Sequence, residues 1–168
     1  MKTRAAVYVE FQKPLVIEEI ELPAPGPTQP LIKQVATGIC HSQLHALHNP
    51  KTVTPRLIGH ESTGVVLSAG SEVTHVEEGD HVMVTFLPRS TRPGAQFPVP
   101  VLKWRDQDIR SHGNNSTWSE TMLADASFVV PLDRSAPTDV TAIIGCAVMT
   151  GCGAVLNTAR VQAGDSEP

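Results

Sequence analysis

Two thiols and one imidazole stand in short glycine-containing segments along the chain. Cys40 follows Gly38-Ile39, His60 lies in Gly59-His60-Glu61, and Cys146 follows Gly145. Each alone has an ordinary explanation, because a free cysteine often packs in a core as a small hydrophobe. Together they suit zinc, a borderline-soft ion that takes thiolate sulfur and imidazole nitrogen in a tetrahedral shell. A catalytic zinc site keeps three protein ligands and leaves the fourth position to water or substrate. Cys40, His60 and Cys146 would supply such a set. Ligands so widely separated do not meet through spacing alone; a fold has to bring them together.

The elements that could do so read mainly as strands. Ala5 to Glu10 and Leu15 to Leu22 alternate apolar and polar positions and are split by Lys13-Pro14, the period of a half-buried strand. Pro23-Ala24-Pro25-Gly26-Pro27 is a stiff connector, since proline cannot donate to a ladder. Leu31 to Thr37, Gly64 to Ser68 and His81 to Phe86 continue the strands, with turns at Ala69-Gly70-Ser71 and Glu78-Gly79-Asp80. Residues 87–117 are rich in proline and mixed charge and read as a long loop. Trp118 to Val130 is strand-like again. Thr138 to Arg160 is the best helix candidate, with Asp139 near its start where a carboxylate suits the dipole. Glycines at 145, 151 and 153 argue for a kink or close packing within it. Many short, closely spaced strands point to a barrel or sandwich.

Composition narrows the classes of function. A net charge of -4 argues against a dedicated nucleic-acid binder, which needs clustered Lys and Arg for phosphates. No apolar run approaches the roughly 20 residues of a membrane span. Met1-Lys2-Thr3-Arg4-Ala5 lacks the apolar stretch of a signal peptide, so a cytoplasmic location is expected. Three cysteines, an odd number, fit thiols or metal ligands better than a disulfide framework.

Gly59-His60-Glu61, followed by Gly64, Gly70 and Val73, is similar to the signature of the zinc-containing, medium-chain alcohol dehydrogenases. Pro23 to Pro27, Ala36 to Ser42 and Gly145 to Ala154 also resemble that family, and the likeness covers nearly the whole chain except residues 87–115. It implies a GroES-like fold: mainly β (α+β), a partly open β-barrel with a few short helices, and one zinc-binding catalytic domain over residues 1–168. Residues 87–115 would be a loop in place of the structural-zinc lobe, and 138–168 would lead toward a cofactor domain.

Carried over residue by residue, the resemblance implies one catalytic zinc on Cys40, His60 and Cys146. Glu61 would be the carboxylate beside the metal, with a buried ion pair or a supporting hydrogen bond as the plainer role. Ser42 would accept the alcohol proton, and His45 would relay it, unless His45 is simply a solvated loop histidine. Zinc would act as a Lewis acid toward the alcohol. Hydride would pass to NAD or NADP, the protein supplying position and electrostatics. His41 would meet the cofactor pyrophosphate and Thr150 the nicotinamide. Phe86 and Trp118 would line the substrate pocket, with core packing the competing reading for both.

Two departures qualify this. Ser90 stands where the first cysteine of a structural-zinc lobe is expected, and residues 91–112 contain no cysteine, so no structural zinc is expected. His48, His75, His81 and His112 do not rebuild such a lobe and are expected at the surface. The 168 residues also contain no Gly-x-Gly-x-x-Gly phosphate loop. The expectation is a chain without the Rossmann domain, inactive alone, whose partners would be a small alcohol or aldehyde and a cofactor-domain partner or a second copy. The rival readings are a GroES-like zinc-binding scaffold without redox activity, and a zinc-free reductase of the same superfamily.

Overall fold

The computed structural model describes residues 1–89 and 95–166. The chain opens with β1 (Lys2–Tyr8) and β2 (Val16–Glu21), an antiparallel pair running from Lys2 opposite Glu21 to Val7 opposite Val16. In β1, Thr3, Ala5 and Val7 are buried while Lys2 and Arg4 are exposed, the period-two pattern of a strand with one wet face. Three further strands close a ring: β4 (Arg56–Leu57), β7 (Leu102–Trp104) and β8 (Gln107–Ser111), in the order β1-β2-β7-β8-β4 and back to β1. β4 makes the closure, antiparallel to β1 and parallel to β8.

A second, open sheet has the order β10-β6-β5-β3-β9. Its strands are β3 (Pro30–Thr37), β5 (Ser62–Ala69), β6 (His81–Val84), β9 (Thr121–Leu123) and β10 (Val129–Pro131). β3 and β9 form a wall between two cores. Leu31 pairs with Leu123 and both face the core with Val7, Ile20, Leu57 and Trp104. The next pair, Ile32 and Met122, faces the opposite core with Val66, Val82, Val84 and Val129. A one-residue slip of β9 would put Met122 and Leu123 on the wrong sides.

The long loop expected over residues 87–117 is corrected by the structure: β7 and β8 form a hairpin there, with Trp104 opposite Gln107. Its two-residue turn carries Arg105 at φ 53 in place of the Gly or Asn-Gly that usually marks such a turn. The hairpin is tied to β2 instead by side chains. Glu18 accepts from Trp104 Nε1 at 2.7 Å and from Arg105 Nη2 at 2.7 Å, and the Arg105 guanidinium lies over the Trp104 ring. Ser90 lies outside the described residues.

The single helix expected from Thr138 to Arg160 is instead a chain of short helical pieces. α2 (Thr138–Thr141) is followed by a wide π-type turn over Ile144–Val148, then α3 (Met149–Gly153), then a second π-type stretch over Ala154–Ala159. In addition, α1 (His41–His48) forms after β3, where no helix is expected from the sequence. The four remaining histidines are corrected in part. His48 and His112 are exposed, but His75 and His81 are half-buried, and His75 Nε2 lies 3.0 Å from the Val129 carbonyl. Among the described residues, no helix is long and apolar enough to cross a membrane.

Candidate metal centre

Three strand ends meet at one edge of the open sheet. Thr37, the last residue of β3, pairs with Ser62, the first of β5, and Ser62 pairs with Val84, the last of β6. Cys40 therefore leaves β3 beside the point where His60 and Glu61 enter β5. The wide turn carrying Cys146 is brought onto the same edge by a hydrogen bond from the Phe86 amide to the Gly145 carbonyl, 2.9 Å. A Cβ on residue 145 would fall on the Val84 carbonyl oxygen, so the close approach that seats Cys146 needs glycine. Turns with this extra residue often mark functional sites in helices.

His60 is aimed by its neighbour. Gly59 has φ +104, and a Cβ there would lie 2.6 Å from the Trp118 amide nitrogen. Only glycine takes that backbone readily. The Gly59 carbonyl accepts from the Thr117 amide at 3.3 Å, and the Ile58 carbonyl from the Trp118 amide at 3.2 Å. Cys40 is placed by the start of α1, where its amide donates to the Gln43 side chain at 2.8 Å. That reciprocal contact resembles the reach-back half of a capping box.

One ligand atom each from Cys40, His60, Glu61 and Cys146 lies within 4.8 Å of the others. The two sulfurs are 3.9 Å apart. Two sulfurs bound tetrahedrally to one zinc at about 2.3 Å each would be roughly 3.8 Å apart, so the thiols already have the spacing of a shared ion. His60 is buried and its Nε2 has no hydrogen-bond partner. A buried, unsatisfied ring nitrogen is costly, and a metal ion would satisfy it. The donor set therefore fits zinc.

The electrostatics of the thiols differ. Burial pushes the Cys146 thiol up to about 11, with the hydrogen bond and charge of Cys40 and the charge of Glu61 acting in the same direction. The Thr150 hydroxyl acts against this by donating to the Cys146 sulfur. At Cys40 burial also raises the thiol, but hydrogen bonds from the Ser42 hydroxyl and amide and from Cys146 outweigh it and leave Cys40 below its ordinary value. Burial holds the His60 imidazole down, helped by the charge of His112. Burial raises Glu61, while the amides of Ala147 and Cys146 pull it back.

The other residues singled out in the sequence lie around this centre in different ways. Ser42 Oγ donates to Cys40 Sγ at 3.3 Å. Glu61 accepts from the Ala147 amide at 3.2 Å. The Phe86 ring sits 4.9 Å from the His60 ring and is 50% exposed, so it is not core packing. Trp118 is half-buried and its indole donates to the Gly38 carbonyl at 3.1 Å. His41 and His45 are exposed on α1, and Thr150 is exposed on α3. Sequence reasoning missed Gln43 as the group that fixes Cys40. The signal was present: a Gln three residues after a residue that begins a helix is a known N-terminal pattern.

A closed ring beside an open sheet, with two thiols and an imidazole gathered where strands of that sheet end, is a mainly β domain of GroES-like architecture with a candidate metal centre. Residues 26–134 match the family described as "Alcohol dehydrogenase GroES-like domain", and the chain belongs to that family. It is 34% identical, over 97% of its length, to an alcohol dehydrogenase class-3 of Drosophila melanogaster and covers 49% of that protein. It is 35% identical, over 99% of its length, to an S-(hydroxymethyl)glutathione dehydrogenase of Saccharomyces cerevisiae, again covering 49%. Among solved structures it resembles an alcohol dehydrogenase zinc-binding domain protein from Burkholderia ambifaria, with a TM-score of 0.86, 25% identity, and coverage of 99% of this chain and 51% of that one. The chain spans about half the length of the curated relatives it matches.

Proposed function

We propose that the chain is the zinc-binding catalytic domain of an oxidoreductase that interconverts an alcohol with an aldehyde or ketone, the hydride passing to or from NAD or NADP held by a partner domain. The observation that carries this reading is the meeting of Cys40, His60 and Cys146 around an unsatisfied imidazole nitrogen. These three residues would hold the zinc. When bound, zinc supplies Lewis acidity toward a substrate oxygen.

The chain's own residues do the rest. The Ser42 hydroxyl, on the first turn of α1 beside Cys40, turns from the sulfur to take the alcohol proton. His45, one turn further along the same helix and exposed, passes that proton to water. His41 and Thr150 are exposed, and the cofactor pyrophosphate and nicotinamide would contact them. Phe86, against His60, forms an apolar wall for the substrate, and Trp118 backs the Gly38 segment. Buried Glu61 holds the Cys146 turn through the Ala147 amide.

The test compares this chain alone with the same chain fused to the cofactor domain of a relative, each given NAD or NADP and a panel of alcohols. The chain alone is expected to give no turnover above a Cys146→Ala control. The fusion is expected to turn over, and Ser42→Ala in it to lower kcat by about 10²-fold or more. A fusion that holds zinc and binds cofactor yet turns over none of the alcohols sinks the reading in favour of a scaffold.

A further inference from the structure

We propose that His41 and His45 form a second metal site on the surface of α1, separate from the thiol centre, that takes Cu²⁺, Ni²⁺ or Zn²⁺ through two imidazoles. α1 runs from His41 to His48 and buries Gln43 and Ala46, so the opposite face, with His41, His45 and His48, is turned to solvent. Residues four apart on a helix stand one above the other. Here the His41 and His45 rings are 4.8 Å apart between centroids and meet edge to face. Small side-chain rotations would direct one nitrogen of each at a common point. Imidazole pairs suit these three ions, with copper bound most tightly.

The helix is already fixed at both ends, so little ordering is needed to bind the ion. The Cys40 amide is held by Gln43 at the start. At the far end the Tyr8 hydroxyl donates to the Leu47 carbonyl at 2.8 Å, and the Thr52 hydroxyl to the Ala46 carbonyl at 2.7 Å. His48 extends the same face and offers a third imidazole. Unlike the centre at Cys40, His60 and Cys146, this pair has no thiolate and is open to water, so it would load after that centre and exchange faster. An ion there would withdraw His45 from proton transfer and His41 from the cofactor. That inhibitory consequence rests on the function proposed above; the metal binding does not.

Calorimetric titration with Ni²⁺ tests the site in the zinc-loaded chain and, so that failure of the thiol centre does not confuse the result, in the Cys146→Ser variant. One Ni²⁺ per chain is expected in both backgrounds. His41→Gln and His45→Gln should each weaken it by roughly tenfold or more, because loss of one of two linked ligands removes the chelate advantage. Circular dichroism should be unchanged, since both residues are exposed. Nickel binding that neither substitution weakens, or no nickel uptake in either background, overturns the proposal.

Discussion

The sulfurs of Cys40 and Cys146, 106 residues apart in sequence, lie 3.9 Å from one another. The separation needs no closing movement to fit a shared zinc. The third donor, His60, comes from the segment just before β5. The centre therefore depends on the junction of β3, β5 and the Ile144–Val148 turn, and disturbing any of the three should empty it.

The first prediction concerns occupancy. Elemental analysis of freshly purified chain is expected to give about one zinc per chain. Cys146→Ala should reduce this to a small fraction, and Cys152→Ala should not, because Cys152 is exposed and outside the cluster. Equal zinc in wild type and Cys146→Ala would remove Cys146 from the ligand set.

The fold was readable where apolar and polar positions alternate, as in β1 and β2. It was unreadable at the β7–β8 hairpin, because the turn uses Arg105 in a left-handed conformation and the pairing is secured by Glu18, far away in sequence. The candidate metal ligands are legible only through their chemistry and a family resemblance, since nothing local in the sequence announces that β3 and β5 end side by side. The helical pieces after Thr138 were obscured by glycines, one of which, Gly145, is present for contact with Val84.

Zinc affinity should depend on pH with a definite sign. Both thiols must lose their protons to bind, and burial holds Cys146 at about 11. At neutral pH the metal-free chain therefore keeps that proton, and zinc must displace it. Competition with a chromophoric chelator between pH 6 and 8 should show log affinity rising by roughly one to two per pH unit, the number of protons released. A flat profile would mean that the thiols are already ionised or do not bind.

Glu61 is 1% exposed, and among the described residues no ion pair reaches it. Its raised carboxyl favours the protonated form in the fold. The stability tied to that proton is fully present below the unfolded value near 4.5, and is lost as pH rises through the folded value. In metal-free protein, Glu61→Gln should raise the melting temperature at pH 7 and leave it nearly unchanged at pH 4. An equal rise at both pH values would point to packing and not charge.

Gly59→Ala should cost about 1–3 kcal/mol through a disfavoured backbone conformation, because φ is +104 and the new Cβ would press on the Trp118 amide. For a chain of this size each kcal/mol corresponds to about 2–4 °C in Tm. His60 follows directly, so zinc should fall with stability. A melt within about 1 °C of wild type, with full zinc, would contradict the role given to Gly59.

The helical segment that carries Cys146 is unevenly held, and hydrogen exchange should divide it. Thr141, Ala142, Gly145 and Cys146 are buried, and the Gly145 carbonyl is bound by the Phe86 amide. Beyond them Met149, Val155 and Leu156 are exposed, and a Cβ at Gly151 would meet nothing within 4 Å. Few buried contacts mean a low free energy of local opening. Amides from Gly151 to Ala159 should therefore exchange far faster than those of β5 and β6, while those near Cys146 should be intermediate and should slow on zinc binding. Protection continuing undiminished to Leu156 would show that the segment is anchored by contacts other than the strand edge and the metal.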